Sequence, residues 1–223
     1  MKMANNLYGY PELGMMDSNH WVIAGNPHAA GIIFDPGNVN YVNRLAAEMK
    51  KDGLDIGNIG TIVNTHLHID HSSGNEAFKA LSGAKIILHP RQKENYHLVV
   101  VEGTRLFGDE PVEFKEDYLM KNNRLQAAGL NMECIPSPGH SPDCVCYYLR
   151  NEKILVCGDV LFEMNTGRVD LPGGSAENLK TSIDALARLD IELLLPGHMG
   201  VVSGAENVKR NFEFIQKNIY PYL

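Results

Sequence analysis

The sequence predicts an α+β protein in which two mixed sheets pack face to face with helices on their outer faces. Two observations fit this expectation. Short β-branched runs alternate with stretches of helical periodicity, and they do so in two halves, each opening with strands and closing with a helix. Isolated histidines and aspartates stand just past the ends of several apolar runs, beside Gly or Pro-Gly turn signals, as happens when strands deliver ligands to one end of a sheet. Pattern alone fits a doubly wound α/β sheet equally well.

In chain order, His20-Trp21-Val22-Ile23-Ala24 and Ala30-Gly31-Ile32-Ile33-Phe34 read as two strands around Asn26-Pro27. Val42, Leu45, Ala46 and Met49 keep helical spacing, and Gly53 ends that helix. A strand at 61–64, a helix at 75–81 and a strand at 85–89 complete the first half. The second half offers strands near 131–135, 144–149 and 153–157 and an apolar run at Leu193-Leu194-Leu195. A helix from Ser175 sets Leu179, Ile183, Leu186 and Leu189 on one face. Ser203-Gly204-Ala205-Glu206 reads as a capping box before a last helix carrying Val208, Phe212, Ile215 and Ile219. Residues 91–126 are the least regular part, an insertion in one domain spanning 1–223. They either pack their aromatics inward or cover a site.

At 223 residues the chain suffices for one substantial core, and 44% hydrophobic with 21% charged residues is ordinary for a globular protein. No apolar stretch approaches the length of a membrane span, and the first residues lack the apolar centre of a signal peptide. The four cysteines fall in expected strands, with Cys144 and Cys146 on one face, and read as reduced thiols of a cytoplasmic protein. A net charge of −7 without a basic cluster argues against a nucleic-acid partner. Oligomeric state is not readable.

The chemistry concentrates in Thr65-His66-Leu67-His68-Ile69-Asp70-His71, where three of the nine histidines and a carboxylate occupy six positions. Neutral imidazole and carboxylate suit zinc, iron or manganese. On an extended chain His66, His68 and Asp70 share one face and His71 takes the other, unless a bend at the strand end brings them together. A histidine-rich surface loop is the plain alternative. Three further residues follow apolar runs: His140 in Pro138-Gly139-His140, Asp159 in Cys157-Gly158-Asp159, and His198 in Pro196-Gly197-His198.

These motifs, with Asp35-Pro36-Gly37 upstream and Gly158-Asp159-Val160-Leu161-Phe162 and Gly167-Arg168-Val169-Asp170 downstream, resemble the metallo-β-lactamase superfamily of hydrolases, within it the glyoxalase II-like branch. The resemblance implies the αββα sandwich and decides the fold. It implies that His66, His68 and His140 hold one divalent metal and Asp70, His71 and His198 a second, with Asp159 between them. Zinc is the first expectation, with iron or manganese also suited. Such a centre lowers the pKa of water to about 7, so a bridged hydroxide would cleave a thioester, lactone or related ester, as in a hydroxyacylglutathione hydrolase. Asp70 is then both ligand and catalytic orienter of the nucleophile. The partner is a small molecule, anionic or carbonyl-containing.

Around this centre, Asp35 is expected either to support a ligand histidine or to form an Asx turn, and Asp143 to tolerate substitution. Arg168, Tyr96, Phe107 and Tyr118 are candidate substrate contacts, though a salt bridge to Asp170 competes for Arg168. His20, His28, His89 and His97 are not expected to be ligands. Residues 163–170 depart from glyoxalase II proper, and its carboxy-terminal helical domain is not expected here. Two other readings stand: a mononuclear iron persulfide dioxygenase, favoured by the Gly-Arg-x-Asp form, and a non-catalytic metal-binding module.

Overall fold

The computed structural model describes residues 2–4 and 6–223. The first sheet runs in chain order across β1 (Lys2–Ala4), β2 (Leu7–Tyr10), β3 (His20–Ile23), β4 (Gly31–Phe34), β5 (Ile59–Val63), β6 (Lys85–Leu88) and β7 (Tyr118–Leu119). Its pairs are antiparallel as far as β4 and parallel from there. The second sheet holds β8 (Arg124–Ala127), β9 (Leu130–Pro136), β10 (Val145–Leu149), β11 (Ile154–Gly158), β12 (Leu193–Pro196) and β13 (Val202–Ser203), in the order β13-β12-β11-β10-β9-β8. Only β11 and β12 are parallel in it.

Alternation along the strands shows how the layers stack. Ile32 and Phe34 of β4 pack with Tyr147 and Leu149 of β10, Val156 and Leu195 in a core between the sheets. Ile33, from the same strand, faces the other way, onto Val42, Leu45 and Met49 of α1 (Val42–Lys51) and Phe78 of α3 (Asn75–Ser82). On the far side Cys146 and Tyr148 of β10 meet Leu179 and Ile183 of α6 (Ala176–Leu186) and Phe212 and Ile215 of α7 (Ala205–Asn218). Helix, sheet, sheet, helix is the αββα sandwich.

Three expectations change. Ser203 does not cap α7: it pairs with Leu193 in β13, and Gly204, at φ 94°, takes the cap position without a side-chain hydrogen bond. Cys144 precedes β10 rather than lying in it, although all four cysteines are buried and free. The segment 91–126 is mostly regular. It opens with α4 (Pro90–Tyr96), a π-helical turn (His97–Glu102) and α5 (Gly103–Leu106), and later supplies β7 and part of β8. Val99 and Val100 of the π-helical turn join the outer core of the first sheet. No helix among the described residues is long and apolar enough to cross a membrane.

One edge of the sandwich is knitted across the seam. The Val145 N–H donates to the Thr65 carbonyl at 2.7 Å, and the Tyr147 hydroxyl donates to the Asn64 carbonyl at 2.8 Å. At the same edge the Asn19 N–H donates to the Gly197 carbonyl at 2.7 Å.

Candidate metal centre

The polar residues gather at that knitted edge, where β4, β5, β11 and β12 all end. Past β5 the chain bends at Thr65 and runs on to His68, which holds the N-cap position (φ −61°, ψ 155°) of the single turn α2 (Ile69–Ser72). The turn rotates Asp70 and His71 toward His66 and His68, supplying the bend that an extended chain would lack. The loop before β10 contributes His140, the residue after β11 is Asp159, and the turn after β12 carries His198. Gly197 admits this convergence, since a Cβ there would sit 2.1 Å from Asp159 Oδ1 and 2.7 Å from His71 Cε1.

Among the described residues, three groups of side chains have their donor atoms within 4.8 Å of one another: His66, His68 and His140; His66, His71 and Asp159; Asp70, His71 and His198. All seven expected ligands are among them. His68 Nδ1 lies 2.9 Å from His140 Nε2. Asp159 stands in the middle, with Oδ1 3.3 Å from His71 Nε2 and Oδ2 3.6 Å from His140 Nε2 and 3.5 Å from His198 Nε2. Asp70 Oδ2 is 3.2 Å from His198 Nε2.

Hydrogen bonds to the opposite ring nitrogens assign the tautomers. A carbonyl only accepts, so His140 donates from Nδ1 to the Arg168 carbonyl, 2.7 Å away, and presents the Nε2 lone pair. His71 Nδ1 is 3.1 Å from Asp35 Oδ2, and His198 Nδ1 is 2.8 Å from Glu12 Oε1. The Thr65 hydroxyl donates to Asp35 at 2.7 Å, which leaves its oxygen to accept from His66 Nδ1 at 3.2 Å. Asp35 thus supports His71 directly and His66 through Thr65, in a turn where Asp35 itself has φ 54°.

This donor set fits a divalent cation. Among the described residues, the buried atoms His66 Nε2, His71 Nε2 and Asp159 Oδ1 make no well-formed hydrogen bond, the last two only facing each other at 3.3 Å, an expensive arrangement unless something else engages them. Burial, with the neighbouring imidazoles, pushes His66 well down, and burial pushes His68 down to about 3, so both are neutral donors. Burial opposes charge on His71 as well, but Asp70, Asp159 and Asp35 outweigh it and hold that ring well up. His198 behaves alike and reaches about 9 against its burial, chiefly through Asp70 and Asp159. The acids around His71 and His198 thus make this end of the cluster favour positive charge, so metal loading there would compete with protons.

A pocket of about 340 Å³ opens over the cluster. His68, Asp70, His140, Asp159 and His198 lie at its polar side, with Phe107 and Arg168 at the wall. Arg168 is gripped by Asp170, Nε to Oδ1 at 2.6 Å and Nη2 to Oδ2 at 2.7 Å. Tyr96 and Tyr118 do not line this pocket, which corrects their expected place beside a substrate. The Tyr96 hydroxyl is occupied by the Phe114 backbone, donating to its carbonyl and accepting its N–H. Tyr118 is exposed on the edge strand β7. His20 is held by Asp17 and the Asp35 carbonyl, His89 caps α4, His97 pairs with Glu102, and His28 is exposed.

Asp143 also departs from expectation. It is fully buried, accepts the Leu67 N–H at 2.9 Å between two ligand histidines, and is hydrogen-bonded by Ser141. Burial raises its carboxyl to about 6. Glu12 and Asn19 carry no sequence signal for their roles. The Asn19 amide donates to the carbonyls of Pro196 and Met199 at 3.2 and 3.0 Å, clamping the turn that bears His198. Asn19→Ala is expected to weaken cation binding at the Asp70–His71–His198 group about tenfold. Metal titration of the purified variant measures this, and an unchanged isotherm would show that the clamp is dispensable.

Residues 13–198 match the metallo-beta-lactamase superfamily. The chain belongs to that superfamily. It is 32% identical over 200 residues to a probable metallo-hydrolase of Methanocaldococcus jannaschii, with 86% of this chain and 90% of that protein covered. It is 31% identical to a hydroxyacylglutathione hydrolase of Albidiferax ferrireducens across 78% of this chain, which spans 58% of that longer protein. Among solved structures, the BLEG-1 B3 metallo-beta-lactamase superposes with a TM-score of 0.77 at 27% identity, covering 97% of this chain and 100% of that one. The superfamily hydrolases bind divalent metals, and the donor groups above are where this member has the side chains to do so.

Proposed function

We propose that this chain is a dinuclear metal-dependent hydrolase that cleaves a thioester, lactone or related ester of a small molecule. The observation that supports this most is the second group of donors. Asp70, His71 and His198 converge, their imidazoles are backed by Asp35 and Glu12, and the Asp159 carboxylate lies between them and His140. A site for one cation needs no such second, separately supported group.

His66, His68 and His140 would hold one ion and Asp70, His71 and His198 the other, with Asp159 shared. Nitrogen and oxygen donors without thiolate suit zinc, and iron or manganese as well. When bound, divalent ions acidify water and polarise a carbonyl oxygen. The protein's share is orientation. Burial would raise the Asp70 carboxyl, but His71 and His198 hold it down, so it stays an ionised acceptor at the pocket floor, able to align an attacking water. Ile69 and Phe107 line the same pocket with apolar surface. Four free, buried thiols agree with a reducing compartment, and we assign the protein to the cytoplasm on that ground.

The test is metal content per chain in protein purified without chelator. The same preparation is then assayed on an acyl thioester, a lactone and glutathione persulfide. Two ions and hydrolysis are expected. Oxygen uptake with the persulfide at one iron per chain, without hydrolysis of the esters, would replace this reading with a dioxygenase.

A further inference from the structure

We infer that the substrate presents an uncharged, apolar group to the pocket wall, and that the site disfavours anionic thiol conjugates of the glutathione type. The inference deepens the hydrolase reading and rests on it for the reaction. Beyond the ligand cluster the wall is Met16, Ile69, Phe107, Phe162 and Leu171. Phe107 is 44% exposed, so a large aromatic face is offered to whatever enters. A monomer leaves such side chains open singly without consequence, but here they are contiguous in a concave site.

The charges around this wall point the same way. Arg168 is the one lysine or arginine among the described lining residues. Two of its N–H donors and much of its charge are already engaged by the Asp170 carboxylate, which weakens it as a receptor for a second carboxylate. Behind the lining, two acids lie by the turn that bears His198. Glu12 is bound to His198, and the Glu163 carboxylate packs beside Gly200, where a Cβ would lie 2.9 Å from Oε2. A thiol carrying two carboxylates would meet apolar surface and an arginine already paired with Asp170. A carboxylate that leaves water without a cation to receive it is strongly disfavoured. Cations on the pocket floor would engage the scissile carbonyl rather than carboxylates several bonds away.

The experiment compares two thioesters of one hexanoyl group, on N-acetylcysteamine and on glutathione, with metal-loaded protein. Binding of the matching unreactive thioethers is measured by calorimetry. We expect kcat/KM and affinity to favour the neutral member by at least about tenfold. Asp170→Asn releases Arg168 and should narrow the gap by improving the glutathione member. Phe107→Ala should raise KM for the neutral thioester with metal content unchanged. Equal or better use and binding of the glutathione compounds would overturn the inference, as would an Asp170→Asn variant with an unaltered ranking in both assays. If neither thioester is cleaved while the neutral thioether still binds more tightly, the pocket preference stands and the hydrolase reading falls.

Discussion

Asp159→Ala is expected to remove more than one ligand's worth of metal binding. The wild-type carboxylate faces His71 with one oxygen and His140 and His198 with the other, so on the proposed assignment its loss takes an anionic donor from both cations at once. Losing a residue that merely supports a metal ligand costs about 10–100-fold in affinity or activity. A directly shared carboxylate should exceed the upper end of that range. Two imidazoles held up by nearby acids, His71 and His198, would also lose a counter-charge. Elemental analysis and kcat/KM should fall together. An alanine variant that keeps its full metal content at wild-type affinity would remove Asp159 from the shared position.

Asp143→Ala is expected to cost about 2 kcal/mol of folding stability, because it leaves the buried Leu67 N–H without an acceptor. The Ser141 hydroxyl would lose its acceptor as well. Leu67 separates His66 from His68, so the substitution should also loosen the first donor group. Denaturant unfolding of wild type and variant, each stripped of metal, isolates the stability term from the binding term. Equal midpoints at equal slope would mean that water satisfies the Leu67 amide and that Asp143 is dispensable to the fold.

The residues that converge in the candidate centre were readable because each belongs to a short local motif. The His-x-His-x-Asp-His block is contiguous, and His140, Asp159 and His198 each sit against a glycine that a strand end requires. Glu12 was not readable, since an isolated glutamate near the start of a chain says nothing of a histidine 186 residues away. The same holds for Asn19, whose partners lie 177 and 180 residues on. Choosing between a sandwich and a doubly wound sheet failed on pattern for a physical reason. Every residue of β4 and of β10 is buried, because one face meets helices and the other meets the opposite sheet. A strand covered on both faces by helices would read the same. The capping box failed because a strand pair claimed Ser203 first. Tyr96 and Phe107 illustrate the limit for aromatics. Both lie in one insertion, yet the first is spent on the Phe114 backbone and the second reaches the pocket.

The seam between the sheets has a consequence for how the protein acquires its cargo. Each of the three donor groups draws on both sides: His66, His68, Asp70 and His71 follow a strand of the first sheet, and His140, Asp159 and His198 come from the second. Neither half alone contains a whole group. A cation can therefore meet a whole donor group only after the halves have docked, and it then acts as a reversible rivet through the seam. At free metal a hundredfold above its dissociation constant, such a rivet adds about 2.7 kcal/mol to the native state. Cellular metal supply would thereby govern how long the folded chain survives as well as whether it can turn over substrate.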